Sequence, residues 1–303
     1  MIVAVDQDLV EAVLFRLGRD PCLAAATGYR EDDPEREALY QIADPGARNE
    51  AFGTYFAHWF HQAGLEGALR SALDEFPLLA GTIARATFCR ARSARDEVGE
   101  LFRGAEGPPR AVFALLPERL PERTHVPILR HECQHLHDIL DPAFGYPLDP
   151  AVLRQLEADP LFRMRYRVLW DLCVDGRLSR RFPEFAKRLP FRNRELENSF
   201  GFLGSPVIEE LFKELWYGEQ PGHARLWKLA TDPRHERGPA LPGMPCPLCR
   251  FPTFSWAEPA RIDALRDAVV RDFPAWTPAE SLCARCAEIY AARNMRLPPT
   301  IVV

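Results

Sequence analysis

Two runs in this 303-residue sequence have the residue types and spacing of metal ligands. The first is His131-Glu132-Cys133-Gln134-His135. On a helix, residues i and i+4 lie one turn apart on one face, so both imidazoles can reach a single ion. Two neutral imidazoles plus one carboxylate suit Zn2+, with a fourth position left to water. A metal there lowers the water's pKa toward about 7. Glu132 would sit beside that water, take its proton and later hand it to a leaving amine. The second run is Cys246-x-x-Cys249 with Cys283-x-x-Cys286. Four thiolates so spaced close a tetrahedral structural Zn2+ site. The expected cofactors are therefore one catalytic and one structural Zn2+.

The first site needs a third ligand. No histidine falls between His137 and His223, so a carboxylate is the natural substitute. Asp171 and Asp175 stand at i and i+4, among Val168, Leu169, Leu172, Val174 and Leu178. Two carboxylates on a mostly buried helix need a cation or donors. A metal is one remedy; Arg167, Arg177 and Arg181 are the other. Tyr146, Tyr166, Arg177 and His223 are the candidates for an oxyanion-stabilising donor. His137 and Asp138 are read as rotated away from the His131/His135 face, and His58 and His61 as core or surface residues.

The elements that must position these groups follow from periodicity and punctuation. Helices are predicted over Val5 to Leu17, Asn49 to Gly64, Val126 to Leu140, Leu161 to Arg181, Val207 to Trp216 and His223 to Ala230. Asp44-Pro45-Gly46 reads as a break, and Asp141-Pro142 as the stop of the motif helix. Thr82 to Cys89 and Arg110 to Leu116 read as strands of a small sheet. Gly238 to Pro245 reads as a linker. The expected fold class is α+β, with a metal-binding domain over 1–237, helical over about 1–80, and a four-cysteine module over 238–303.

Composition bounds the function. The chain is 47% hydrophobic and 27% charged, enough for a real core. The net charge of -5 removes the basic footprint that bulk capture of nucleic acid requires. No apolar run reaches the roughly 18 residues of a membrane span. Met1 to Asp8 has no basic leader, so the expected location is cytoplasmic, where paired cysteines bind metal more readily than they form disulfides. Cys22, Cys89, Cys133 and Cys173 then read as core thiols.

The His131-Glu132-x-x-His135 motif resembles that of the zincin metallopeptidases. Gly and His at 138 and 141 would mark the metzincin branch; the residues here are Asp138 and Asp141. The Asp171/Asp175 helix resembles the gluzincin E-x-x-x-D helix, whose first carboxylate binds zinc while the second supports a histidine. It also resembles the N-x-A-x-D helix of metallopeptidases found beside von Willebrand factor A domains, whose later Asp is the ligand. That likeness, with Gly176 permitting close helix approach, slightly favours Asp175 as the ligand and leaves Asp171 to orient His131 or His135. His131 to Leu140 is also similar to the last motif of peptide deformylase, in which case Cys89 would be the third ligand. The cysteine pairs resemble rubredoxin-like and zinc-ribbon knuckles, and a metalloprotease core followed by a ribbon is the layout of SprT-type proteases. These resemblances imply a helix-rich zincin-like metallopeptidase domain with a small sheet, followed by a zinc ribbon. A peptide or protein would be the substrate, and a protein partner could meet the ribbon. The alternatives are a non-catalytic zinc-bound adaptor on a zincin scaffold and a deformylase-like amidohydrolase.

Overall fold

The computed structural model describes residues 1–104, 107–147, 149, 154, 158–231, 233 and 243–294. The protein is a helix-rich α+β chain. Its residues group into two compact units: Met1–Tyr146 with Leu178–Phe185, and Pro147–Arg177 with Ala186–Val303. The boundary read at 237/238 lies outside the described residues.

The first unit contains a four-stranded sheet of β1 (Ile2–Val5), β2 (Arg85–Arg90), β3 (Val98–Phe102) and β4 (Arg110–Leu115), in the order β1-β2-β4-β3. The first three run parallel, and β3 lies antiparallel to β4 at the edge. Side chains alternate across a strand, which buries Ala86 and Phe88 on β2 and Ala111, Phe113 and Leu115 on β4. Phe88 and Phe113 are register partners whose rings stack with centroids 5.2 Å apart. The helix expected from Val5 begins instead at Gln7, as α1 (Gln7–Arg19). The Ile2-Val-Ala-Val run ahead of it pairs with β2, because β-branched residues fit a strand better than a helix start.

Aspartate-proline pairs open the next helices. Asp20, Asp33 and Asp44 each accept backbone N–H groups at the start of α2 (Pro21–Thr27), α3 (Pro34–Leu39) and α4 (Pro45–Gln62). Proline at the first helical position loses no hydrogen bond. Asp44-Pro45 is thus a start signal, and it places the beginning of α4 four residues before Asn49. After α5 (Leu65–Asp74) and α6 (Pro77–Thr82), the motif helix α7 spans Val126–Leu140, the range read from sequence. Arg130 fastens it. Its Nε and Nη2 donate to the Glu75 carboxylate at 2.7 and 2.6 Å, Nη1 donates to Glu184, and the guanidinium lies 3.7 Å from the Phe182 ring centroid.

His125, just ahead of α7, is 1% exposed, with Nδ1 3.1 Å from the Arg119 carbonyl oxygen. Burial pushes its pKa below the ordinary value against the pull of that carbonyl, and the Arg123 charge adds to the depression. The unfolded chain takes a proton near pH 6.5 that the folded chain refuses, so stability is lost as pH falls below about 6.5. The slope from this one group reaches about 1.4 kcal/mol per pH unit. His125→Gln should flatten that acid limb; urea unfolding at about pH 5 and about pH 7.5 measures it. An unchanged difference between the two would remove His125 as the cause.

The second unit carries α8 (Pro160–Ser179, counted here to Arg177), α9 (Leu189–Phe200), α10 (Ser205–Tyr217) and α11 (His223–Thr231). Gly176 lets α8 meet the backbone of α10: a Cβ there would lie 2.5 Å from the Trp216 carbonyl oxygen. The unit continues with β5 (Met244–Pro245), β6 (Pro252–Thr253), α12 (Pro259–Asp272) and α13 (Ala284–Asn294). Among the described residues no helix is long and apolar enough to cross a membrane.

Candidate metal centres

The four-cysteine centre is built from two knuckles. Cys246 and Cys249 flank the turn after β5, while Cys283 immediately precedes α13 and Cys286 lies in its first turn. The four Sγ atoms all lie within 4.8 Å of one another. Cys246 Sγ stands 3.9 Å from Cys286 Sγ, and Cys249 Sγ 3.9 Å from Cys283 Sγ. Two sulfurs held at about 2.3 Å by one tetrahedral ion lie about 3.8 Å apart, so the spacing fits such an ion. Burial opposes a Cys246 thiolate, yet the backbone N–H groups around it outweigh burial and hold its pKa below the ordinary value. One of them, the Cys283 N–H, donates to Cys246 Sγ at 3.4 Å. Burial pushes Cys283 and Cys286 the other way. The centre sits in its own core of Ile262, Leu265, Val269, Trp276, Leu282, Ala287 and Tyr290. Phe251 and Phe254 beside this centre stand 73% and 79% exposed.

The second centre begins on α7. His131 is buried, His135 and Glu132 are half-buried, and the two Nε2 atoms lie 3.1 Å apart. Two nitrogens about 2.0–2.1 Å from one tetrahedral ion lie about 3.3 Å apart. The imidazoles therefore have the convergence that a shared ion requires. Glu132 is fixed from the sheet: the Gly99 N–H on β3 donates to its Oε2 at 2.9 Å. Residue 99 has no room for a side chain, because a Cβ would lie 2.9 Å from Glu132 Cβ and 3.1 Å from the Phe113 ring.

Asp171 and Asp175, the two candidates for the third ligand, both stand buried on α8. Asp175 is the slightly favoured one. It is fully buried and engaged by Arg192 Nε at 2.6 Å and Arg188 Nη1 at 3.1 Å. Arg192 Nη1 also donates to Asp171 Oδ2 at 3.1 Å. Of the arginines named from sequence, Arg167 comes within 3.7 Å of Asp171 from an exposed position, while Arg177 donates to the Cys173 carbonyl oxygen and Arg181 to that of Glu75. Cys89, the third ligand in the deformylase reading, is half-buried on β2.

Three residues carry more than their sequence reading gave them. Arg192 went unread because the helix from Leu189 was not expected; the spacing of Arg188 and Arg192, one turn apart, was its signal. Gly99 went unread with its strand. Asp138 is fully buried and accepts a hydrogen bond from Gln134 Nε2 at 3.2 Å. Its seven-residue spacing from His131 is two helical turns, so it belongs to the stripe from which it was read as rotated away. Tyr166 and His223 form a buried pair, the hydroxyl 2.6 Å from Nδ1. His58 and His61 are exposed, as is Cys22.

No protein-family model, curated protein or solved structure matches this chain.

Proposed function

We propose that the chain is a zinc-dependent hydrolase, a metallopeptidase of zincin-like fold that cleaves amide bonds with a metal-activated water. The observation that carries this reading is the convergence of His131 Nε2 and His135 Nε2 at 3.1 Å on α7, the helix that also carries Glu132. Two imidazoles and one carboxylate are the donor set of a zinc site with an open position. His131, His135 and one of Asp171 or Asp175 are assigned as the ligands, and bound Zn2+ would supply a water acidic enough to ionise near neutral pH.

Glu132 is the general base in this reading. The Gly99 N–H holds Oε2 and thereby the carboxylate plane, so Oε1 is the atom that accepts the proton of the water. The same oxygen then returns that proton to the amine nitrogen as it leaves. Gly99 also ties the base to an edge strand. Among the described residues β3 pairs with β4 alone, and such an edge offers backbone donors and acceptors to an extended peptide. That favours a peptide or protein substrate. The four-cysteine centre is assigned a structural Zn2+, closed by its four thiolates.

The test is hydrolysis of a quenched-fluorescence peptide library by the zinc-loaded chain. Cleavage is expected, along with its loss on dialysis against a chelator and its return when Zn2+ is restored. A fully zinc-loaded protein that cleaves no member would sink the hydrolase and leave the adaptor.

A further inference from the structure

We infer that the cavity along α1 is a binding site for a small zwitterion of the α-amino-acid kind, with Glu31 receiving its ammonium group and Arg36 its carboxylate. The cavity measures about 1050 Å³, and every residue lining it belongs to the first unit. One wall is the face of α1 that carries Asp8, Ala12, Phe15 and Arg19, turned away from the core stripe of Leu9, Val13 and Leu17. Five arginines and six carboxylates line the cavity, a near balance that disfavours a polyanion and suits a ligand bearing both signs.

Most of these charges are already served. Asp20 accepts the Cys22 and Leu23 N–H groups, and Glu11 accepts from Gln7. Arg16 meets Glu118 at 3.3 Å, and Arg19 lies 5.2 Å from the Phe15 ring centroid. Asp8, Arg90, Arg92 and Glu122 are exposed to water. Glu31 and Arg36 differ. Both are half-buried, and Glu31 Oε1 and Arg36 Nε are shut off from solvent with no hydrogen-bond partner among the described residues. A charge withdrawn from water without a counter-group is unfavourable, so a ligand that supplies the counter-groups is favoured.

The fold sets the two groups side by side. Arg36 Nη1 donates to the Glu31 carbonyl oxygen at 2.8 Å. Asp33, between them in sequence, caps α3 and accepts the Tyr55 hydroxyl at 2.7 Å, which ties the segment to α4. Tyr29 is 2% exposed and packs edge-on against Trp59, the centroids 5.6 Å apart. Burial raises the Tyr29 pKa, Arg36 pulls it back and Glu31 pushes it up, so both charges are felt at this one ring. Gly18 makes room: a Cβ there would lie 2.5 Å from Glu31 Cγ and 3.2 Å from the Tyr29 ring. Glycine weakens a helix relative to alanine, and here it lets the Glu31 stem lie across α1. Phe15 and Phe56 offer apolar surface to the ligand's side chain. A carboxylate on the planar guanidinium and an ammonium on the carboxylate are both charge-assisted bonds.

Isothermal titration calorimetry of the full zinc-loaded chain tests this, with the common amino acids and a set of di- and tripeptides as ligands. Binding of at least one is expected. Tighter binding of free amino acids assigns the site to the monomer; the reverse order assigns it to the ends of a short peptide. Glu31→Gln and Arg36→Met should each weaken binding about ten- to hundredfold. N-acetylation of the ligand should cost as much on the wild type and nothing further on Glu31→Gln, and amidation of its carboxylate should behave in the same way with Arg36→Met. No binding, or binding that either substitution leaves at wild-type strength, would overturn the inference. Should either variant lose the wild-type circular dichroism, Gly18→Ala takes its place. It keeps both charges and drives the Glu31 stem off α1, so affinity should fall severalfold, and unchanged affinity would overturn the inference. None of these variants touches the histidine centre, so either reading can fail without the other.

Discussion

Glu132→Gln should cut peptide hydrolysis by about 10²–10⁴-fold while the chain keeps its full complement of zinc. The amide is nearly isosteric with the carboxylate, and its oxygen can still accept the Gly99 N–H that now reaches Oε2 at 2.9 Å. The local geometry of α7 against β3 is therefore retained. What is lost is basicity, because an amide oxygen cannot take the water's proton near neutral pH. Glutamine is the cleaner probe than alanine, which would also leave the Gly99 N–H without its acceptor. Metal content should not fall, since the assigned ligands are His131, His135 and one of the two aspartates. The measurement is turnover on any library peptide that the wild type cleaves, alongside zinc per chain. Wild-type turnover in the variant would take Glu132 out of the chemistry.

Cys246→Ser should release one zinc per chain and unfold the segment from Gly243 to Asn294. Cys246 is completely buried, and with Cys283 and Cys286 it belongs to the same small core as Ile262, Leu265, Val269, Trp276 and Tyr290. A core of that size is marginal without a staple. Structural Zn2+ in small modules contributes about 10–16 kcal/mol of apparent binding energy near pH 7, and in such modules that energy is folding energy. Serine presents a neutral hydroxyl where the site needs a thiolate, and the remaining three sulfurs lose the fourth corner of their tetrahedron. Trp276 reports the loss: its indole N–H donates to the Ser281 carbonyl oxygen at 3.1 Å in the folded segment, and its fluorescence should shift toward that of exposed indole. Proteolysis confined to 243–294 is the second readout. A variant that keeps both zinc ions and resists the protease would show that this centre does not hold the segment together.

The candidate metal-binding pairs were legible because their spacing is local. The i, i+4 spacing in His131-Glu-x-x-His135 survives any tertiary arrangement once α7 forms, and α7 formed over the range its apolar spacing and Asp141-Pro142 set. The cysteine pairs are likewise readable because the two residues between each pair fix the reach of the knuckle. Short elements were less legible. β3 is a five-residue edge strand whose exposed and half-buried residues alternate without a buried apolar stripe, and it takes its place only by pairing with β4. The start of α1 was misplaced because Val5 suits a helical period and a strand alike. Its pairing with Phe88 decided between them.

The ligand choice between Asp171 and Asp175 shows where local information ends. Both lie on one face of one helix, one turn apart, with equal chemistry, and no spacing rule separates them. Other elements bring the difference: Arg192 of α9 and Arg188, its N-cap residue, both donate to Asp175, and Arg192 also reaches Asp171. The same holds for Glu132, whose orientation depends on a backbone N–H 33 residues away in sequence. By itself the sequence determined which side chains could bind metal and in what pairs, because turn-to-turn spacing is a property of the helix and the knuckle alone. Only the tertiary structure decided which arginines meet the two aspartates and which backbone group orients Glu132, because that depends on the long-range packing of separate elements.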